Sequence, residues 1–372
     1  FGTMLTMAQG SVGDWLHPNI AGLYNSELGP LPYWIGALFI KLLNGIAEPF
    51  AAAQTAIALQ DATSIYLLHL TVYRLGKRPD MQPQRLAFGG EPVAQAYGRM
   101  LADSAVLLFI ATYGIAATTH DTSEGATVLM VCLLWLYGAV SCLAQPHANR
   151  WFWGLGLAAM GLTLPFGLFV FFIFATLAIL FSNHWRVNSI DVAPVVMLLG
   201  LALPLLWLFK IKSNTVFFND WLTHQHFSPL SADDGYSMLR NGLLFTWPIA
   251  PLSVWCLWRW RATWQNPMML LGSIALLAPL LHLLITGQIF NLSLLTFLPA
   301  FLLLAPFGLA TLNRGRANII DWFSVITFSL LGIGMWTMWL TSWTGIPAQW
   351  AYNIHKLAPA FAPTFKWWPF II

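Results

Sequence analysis

Charge is what this chain has least of. Only 8% of its 372 residues are Asp, Glu, Lys or Arg, against about 25% in a soluble domain. That shortage excludes a soluble enzyme or binding module. The lack of a basic tract with a soluble fold behind it excludes nucleic acid as a partner. Cysteine is scarce as well: Cys132, Cys142 and Cys256 lie within or at the ends of apolar runs. They are expected as free, buried thiols, with neither a disulfide framework nor a metal knuckle. No heptad run, internal repeat or low-complexity block is present, so one membrane domain without a soluble module is expected.

What remains is apolar. Hydrophobic residues make up 58% of the chain, and mean hydropathy is +0.67. Continuous apolar runs of membrane-spanning length recur from residue 51 to 340. They do not alternate, which excludes a barrel. Helices satisfy their own backbone polar groups while crossing lipid. The fold class read from these features is all-α, a polytopic transmembrane helical protein. Its single domain covers 1–372, with an outer loop at 1–50, spans over 51–340 and an aromatic outer tail at 341–372.

The positive charges orient the spans. A first run, 51–74, ends in Arg74, Lys77, Arg78 and Arg85, the strongest basic loop, which the positive-inside rule places in the cytoplasm. Residues 1–50 are then outside. Run 97–118 returns outward to the polar segment 119–124, and 126–144 crosses inward. Residues 151–181 are too long for one span and carry Pro165 and Gly167. They read as two short or broken helices meeting at Leu164-Pro165-Phe166-Gly167. Runs 192–211, 242–258, 267–286, 292–312 and 322–340 complete the set, with 212–241 a polar outer loop. His184 with Arg186, Arg259 with Arg261 and Arg314 with Arg316 then all fall inside. About ten spans are expected. A chain that opens at Phe1 in a polar loop is also expected to be preceded by a further span.

The densest polar stretch is residues 13–44. It sets Asp14, His17, Asn19, Asn25, Ser26 and Glu27 among Trp15, Tyr24, Tyr33 and Trp34. The apolar run 33–43 that closes it is too short to cross about 30 Å of hydrocarbon, which takes roughly 20 residues. It is expected to lie as a helix in the interface, where Trp and Tyr prefer to sit. With this topology the outer face collects Asp14, His17, Glu27, His120, Asp121, Glu124, Asp220, His224, His226, Asp233, Asp234 and Arg240. A transporter would place polar, broken helices near the bilayer midplane. A channel would show a ring or filter. Acids gathered in loops at one interface suit an enzyme working where a lipid headgroup meets water.

The order of these features resembles the polyprenyl-phosphate-dependent membrane glycosyltransferases of the C-type fold. Within that family it is most similar to the aminoarabinose transferase and protein O-mannosyltransferase group (family 39). The features are an outer loop of pattern DWL…P…GLY…PLPYW, one span, a basic loop, one span, a short acidic outer loop and then GLxLP at a helix break. Sequence likeness is strongest over residues 14–44, where Tyr24-Asn25-Ser26-Glu27-Leu28-Gly29-Pro30-Leu31-Pro32-Tyr33-Trp34 parallels the family's Y-x-x-K-P-P-L-x-Y-W segment. The resemblance implies an inverting transferase that moves a sugar from a polyprenyl-phosphate carrier to a lipid or protein acceptor at the periplasmic face of a bacterial inner membrane. It implies that the family's first catalytic acid lies upstream of Phe1. The second acid corresponds to Asp121, with Glu124 and His120 beside it as further catalytic candidates. Leu28 and Leu164 stand where the family carries lysines.

Carboxylates in such loops suit the reaction. An acceptor hydroxyl needs a general base, and the departing phosphate needs cations or backbone donors. Substrate-binding candidates are Asp14, Tyr24, Glu27, Tyr33, Trp34, Lys41 and Arg240, with Lys210 and Lys212 as further cations near the interface. A base that merely snorkels to the interface is the plainer reading of each lysine and arginine. His224-Gln225-His226 beside Asp220 is a weak metal pattern without a defined fourth ligand, so no metal ligand is assigned. No resident cofactor is expected, and a divalent cation, used by the family's oligosaccharyl relatives, is left unassigned. The expected partners are membrane lipids, the polyprenyl-phosphate sugar, its acceptor and a membrane complex partner. Asp61 and Asp103 lie in apolar surroundings; Asp103 is expected to pair with Arg99 one turn away, and His69 and His282 to be satisfied core histidines. Two rival functions follow: a non-catalytic subunit of the same fold, motivated by Leu28 and Leu164, and a transporter or flippase for a lipid-linked molecule.

Overall fold

A computed structural model describes the chain except residues 83–91, 120, 187–188, 226–229, 288–291, 358 and 360–372. The first fifty residues carry more regular structure than a loop with one helix. α1 (Gly2–Gln9) and α2 (Val12–Leu16) precede a hairpin of two-residue strands, β1 (Asn19–Ile20) and β2 (Leu23–Tyr24), with Asn19 opposite Tyr24. Its turn puts Ala21 and Gly22 at φ 52° and 88°, the left-handed pair that two-residue hairpins favour. The expected interfacial helix is α3 (Leu31–Leu42). It starts two residues earlier than expected, because Pro32 in its first turn gives up an N–H that has no partner there anyway.

α4 (Pro49–Gly76) has 28 residues and is about 42 Å long at 1.5 Å per residue, more than the hydrocarbon needs. Its first turns pack Ala52 and Ala53 against Met4, Met7, Tyr33, Ala37 and Ile40 of α1 and α3. α5 (Ala94–Ala111) and α6 (Tyr113–Thr118) divide the run expected as one span. Thr112 leaves the helical conformation, and the Tyr113 N–H donates to the Trp247 carbonyl at 3.2 Å.

α7 (Gly125–Ala144) is buried along nearly all its length and forms the centre of the bundle. It packs against α4 on one side and α8 (Pro146–Gly161) on the other. The contact with α8 is close: a Cβ on Gly138 would lie 2.3 Å from Trp153 Cα, and one on Gly156 2.7 Å from Trp135 N. Small residues let membrane helices approach in this way. Thr127 Oγ1 donates to Gln60 Oε1 of α4, and Trp135 Nε1 donates to Thr176 Oγ1 of α9 (Phe166–Leu180) at 2.9 Å. The expected break between α8 and α9 is present at residues 162–165, where Pro165 caps α9.

α10 (Ser189–Ile211) lies along α8. The expected polar loop 212–241 contains two helices, α11 (Thr215–Thr223) and α12 (Ala232–Phe245), opened by side-chain caps from Asn214 and Ser231. The run expected at 242–258 is likewise divided. Its first residues finish α12, and Pro248 separates them from α13 (Ile249–Arg259), because proline lacks an N–H and restricts the residue before it. α14 (Pro267–Thr286), a 3-10 turn at Ser293–Phe297 and α15 (Leu298–Leu309) complete this unit, which covers Phe1–Thr311. A second unit begins at Leu312 and holds α16 (Arg314–Thr344) and α17 (Ala348–Leu357). Every run expected to cross the membrane thus falls on helix. By length and composition, Gly125–Ala144, Ser189–Ile211, Pro267–Thr286 and Ser324–Thr344 each suffice to cross alone among the described residues. The chain is an all-α polytopic membrane protein.

Loops expected on one side meet on one side. The Phe1 nitrogen lies 3.3 Å from the Thr122 carbonyl oxygen. The N–H groups of Gly29 and Leu31 donate to the carbonyls of Thr163 and Leu162 at 3.1 and 3.0 Å, so the helix break sits directly under the first loop. At the opposite side, Arg150 Nη1 donates to the Asp191 carbonyl at 3.0 Å, and His184 bonds the Gln265 carbonyl. Asp103 differs from expectation. It meets His69 Nε2 of α4 at 3.3 Å, because α4 and α5 pack side by side and bring the ring within reach.

The backbone contact at Gly29 generates a prediction. A Cβ there would lie 2.1 Å from the Leu162 carbonyl oxygen, so Gly29→Ala must push two hydrogen-bonded backbones apart. A loss of about 1–3 kcal/mol is expected from overpacking of this kind, read as a lower midpoint of thermal unfolding in detergent. Gly13→Ala, whose Cβ meets only Ser11 Oγ at 3.4 Å, should leave the midpoint unchanged. Equal effects of the two would contradict the close approach.

Candidate active site

The site grows from the turn that leads into α3. After β2 the chain runs Asn25-Ser26-Glu27-Leu28-Gly29-Pro30 and is pinned by Gly29 and Leu31 to the helix break. One turn into α3, Tyr33 points into the protein and is only 2% exposed. Its hydroxyl accepts from Asn25 Nδ2 at 2.8 Å and donates to the carboxylate of Glu124, the residue that caps the start of α7. The phenol is held well above its ordinary value, first by burial, then by the negative charge of Glu124 and the hydrogen bond to it, then by the charge of Glu27, with Asn25 opposing. Two half-buried carboxylates, Glu27 and Glu124, therefore act on one buried, neutral phenol. Glu124 also gains from the partial positive charge at the N-terminus of α7.

Among the residues singled out by sequence, this arrangement joins Glu27, Tyr33 and Glu124. Asp121 is exposed, three residues before Glu124 on the same short loop. His120 lies outside the described residues. Three further candidates make contacts of their own within the first fifty residues and with α11. Trp34 Nε1 donates to the Trp15 carbonyl at 2.6 Å, and Lys41 Nζ stands 5.2 Å from the centre of the Trp15 ring. Tyr24 accepts from Asn214 Nδ2 at 2.9 Å and packs edge-on to Phe217.

Asp14 has a local task. One oxygen accepts from the Ser11 N–H and hydroxyl at 2.7 and 3.0 Å, closing a capping box on α2, and the other accepts from Asn19 Nδ2 at 3.1 Å. The Asn19 and Ser11 hydrogen bonds hold its carboxyl below the usual range. Arg240 is exposed on α12. Leu28 and Leu164 are both buried, at 5% and 3% exposure, and serve packing.

Sequence reasoning did not single out Asn25 as a site residue, and gave no partner for Ser26. Ser26 Oγ donates to Asp220 Oδ2 of α11 at 2.6 Å and lies 3.2 Å from His224 Nδ1. The two positions are 194 residues apart, and nothing in local spacing announces the contact. The HxH pattern beside Asp220 resolves into this clasp; His226 lies outside the described residues. No group of three or more His, Cys, Asp or Glu gathers as a metal site among the described residues.

The helix order, with a loop-borne helix over a helix break, is that of a membrane protein with a C-type glycosyltransferase-like fold, as comparison with solved structures shows. No family model matches the chain, and no curated protein does. The solved structures that share its fold include ArnT from Cupriavidus metallidurans bound to undecaprenyl phosphate. That match has a TM-score of 0.64 at 18% identity over 87% of this chain and 57% of that one. The same protein in the apo state matches with a TM-score of 0.62 at 16% identity over 92% of this chain and 59% of that one. The chain thus spans less than two thirds of the length of the structures it matches. At such identities the likeness establishes the fold.

Tyr33 offers a pH test. A phenol whose value is raised in the folded state contributes stability in full below its unfolded value, about 10, and loses it as pH rises through the alkaline range. Wild-type protein in detergent should therefore lose thermal stability above that pH, and Tyr33→Phe should lose less over the same interval. Identical alkaline slopes would contradict a buried phenol facing two carboxylates.

Proposed function

We propose that this protein transfers a sugar from a polyprenyl-phosphate-linked donor to a lipid or protein acceptor, at the periplasmic face of a bacterial inner membrane. The observation that carries the reading is the cluster of Glu27, Tyr33 and Glu124, set over a helix break in a fold shared with a protein that binds undecaprenyl phosphate. In this reading Asp121, exposed at the rim, takes the proton of the acceptor hydroxyl. The oxygen so freed attacks the anomeric carbon opposite the leaving group, which departs as polyprenyl phosphate with inversion at that carbon. Glu124, fixed by the Tyr33 hydroxyl, holds the acceptor or the developing positive charge of the sugar ring. Lys41 and Arg240, both exposed, are the cations offered to the phosphate. No resident cofactor is needed, because the donor supplies the activated sugar.

A second reading has its own observation. Leu28 and Leu164 are buried apolar residues where the family carries lysines, which favours a non-catalytic subunit that keeps the lipid site without the chemistry.

Purified protein in vesicles, supplied with an undecaprenyl-phosphate-linked radiolabelled sugar and a lipid acceptor fraction, separates the two. The transferase reading expects labelled acceptor. It also expects a fall of about 10²–10⁴-fold in Asp121→Asn, the usual worth of a positioned general base, and a substantial loss in Glu124→Gln, with both variants monodisperse. Binding of undecaprenyl phosphate without transfer by the wild type would favour the non-catalytic reading. Unchanged transfer in Asp121→Asn would remove that residue from its role.

A further inference from the structure

The contact between the first loop and α11 is more specific than packing requires. On α11 and its caps, Asn214, Phe217, Trp221 and His224 recur every three or four residues, with Asp220 beside Trp221. That spacing aligns them along one helix face. The first loop lies against that face at several points. Asn214 Nδ2 donates to the Tyr24 hydroxyl at 2.9 Å. Phe217 packs edge-on to both Tyr24 and His17, with ring centres 5.2 and 5.1 Å apart. Ser26, itself 2% exposed, donates to Asp220 Oδ2 at 2.6 Å. His224 Nδ1 lies 3.2 Å from the same Ser26 oxygen and 2.9 Å from the Asp220 carbonyl.

Glu27 follows Ser26 directly and is two residues from Gly29, which is held to the Thr163 carbonyl. Its backbone is therefore fixed from both sides, by α11 through Ser26 and by the helix break through Gly29. A hydrogen bond to a charged carboxylate is shorter and stronger than a neutral one, and at 2.6 Å the Ser26–Asp220 bond has that character.

We propose that Asp220 is a positioning residue: acting through Ser26, it holds Glu27 beside the Tyr33–Glu124 pair. The kinetic consequence rests on the transfer reading above, whereas the placement of Glu27 does not. Among the described residues, the side chain of Asp220 hydrogen-bonds Ser26, not Glu27 or Tyr33. Its effect passes through one hydroxyl and one peptide unit. A misplacement of about 1 Å that starts away from the chemistry can cost about 10²-fold in rate, so a loosened clasp beside the Tyr33–Glu124 pair should be visible in turnover.

The test compares Ser26→Ala, Asp220→Ala, Asp220→Asn and the double Ser26→Ala/Asp220→Ala variant of the whole protein in vesicles. Carbodiimide labelling of Glu27, read by mass spectrometry, reports its placement without any need for turnover. The proposal expects Glu27 to label several-fold faster in both alanine variants, with no further gain in the double variant. It expects Asp220→Asn, whose amide oxygen still accepts from Ser26, to label at the wild-type rate. For transfer it expects kcat to fall about tenfold in the alanine variants, KM for the polyprenyl donor to stay within about twofold, and Asp220→Asn to be restored. Unchanged labelling, or additive effects in the double variant, would overturn the positioning role. Faster labelling with unchanged kcat would overturn its part in the reaction. An inert wild type whose Glu27 labelling still responds would instead remove the transfer reading and leave the placement of Glu27 by Asp220 standing.

Discussion

Two backbones meet where the first loop crosses the break between α8 and α9, and the candidate site depends on that meeting. The N–H groups of Gly29 and Leu31 bond the carbonyls of Thr163 and Leu162, at a separation that admits no Cβ on Gly29. A helix break inside a membrane protein leaves carbonyls without intrahelical donors, and each would be costly to bury unpaired. The loop supplies those donors. In return the break holds the loop, and with it Asn25, Glu27 and Tyr33, against the start of α7. The requirement to satisfy backbone polar groups in an apolar setting thus assembles a polar site from segments distant in the chain.

The site carries the same logic into its side chains. A buried tyrosine needs partners for its hydroxyl, and Tyr33 finds a donor in Asn25 and an acceptor in Glu124. Glu124 stands at an N-terminus, where an anion is favoured. Asp121 is exposed three residues before Glu124 on the same loop. Asp14 has both oxygens engaged, one by Ser11 at the start of α2 and the other by Asn19.

Much of the fold was legible from composition and charge. Scarce charge and long apolar runs identified a helical membrane protein, the basic residues ordered its spans, and the prolines placed the break at residue 165. The boundaries that sequence missed were local interruptions. Thr112 divides one run and Pro248 another, and α11 and α12 lie within a loop too polar to show a span. The site was legible only in part. Glu27, Tyr33, Glu124 and Asp121 stood out as polar residues in an oily chain, whereas the pairing of Ser26 with Asp220 links positions 194 residues apart, beyond the reach of periodicity or spacing. Asp14 bonds Ser11 and Asn19, a local role that one dimension does not distinguish from ligand binding.

In the proposed transfer, the end of the bundle carrying Glu27, Tyr33 and Glu124 handles the polyprenyl phosphate. A cryo-EM map of the protein in nanodiscs containing undecaprenyl phosphate tests it most directly. Phosphate density is expected at that end, beneath the first loop and within reach of Asp121 or Glu124. Phosphate density at the opposite end of the bundle, or none at a saturating lipid concentration, would contradict it.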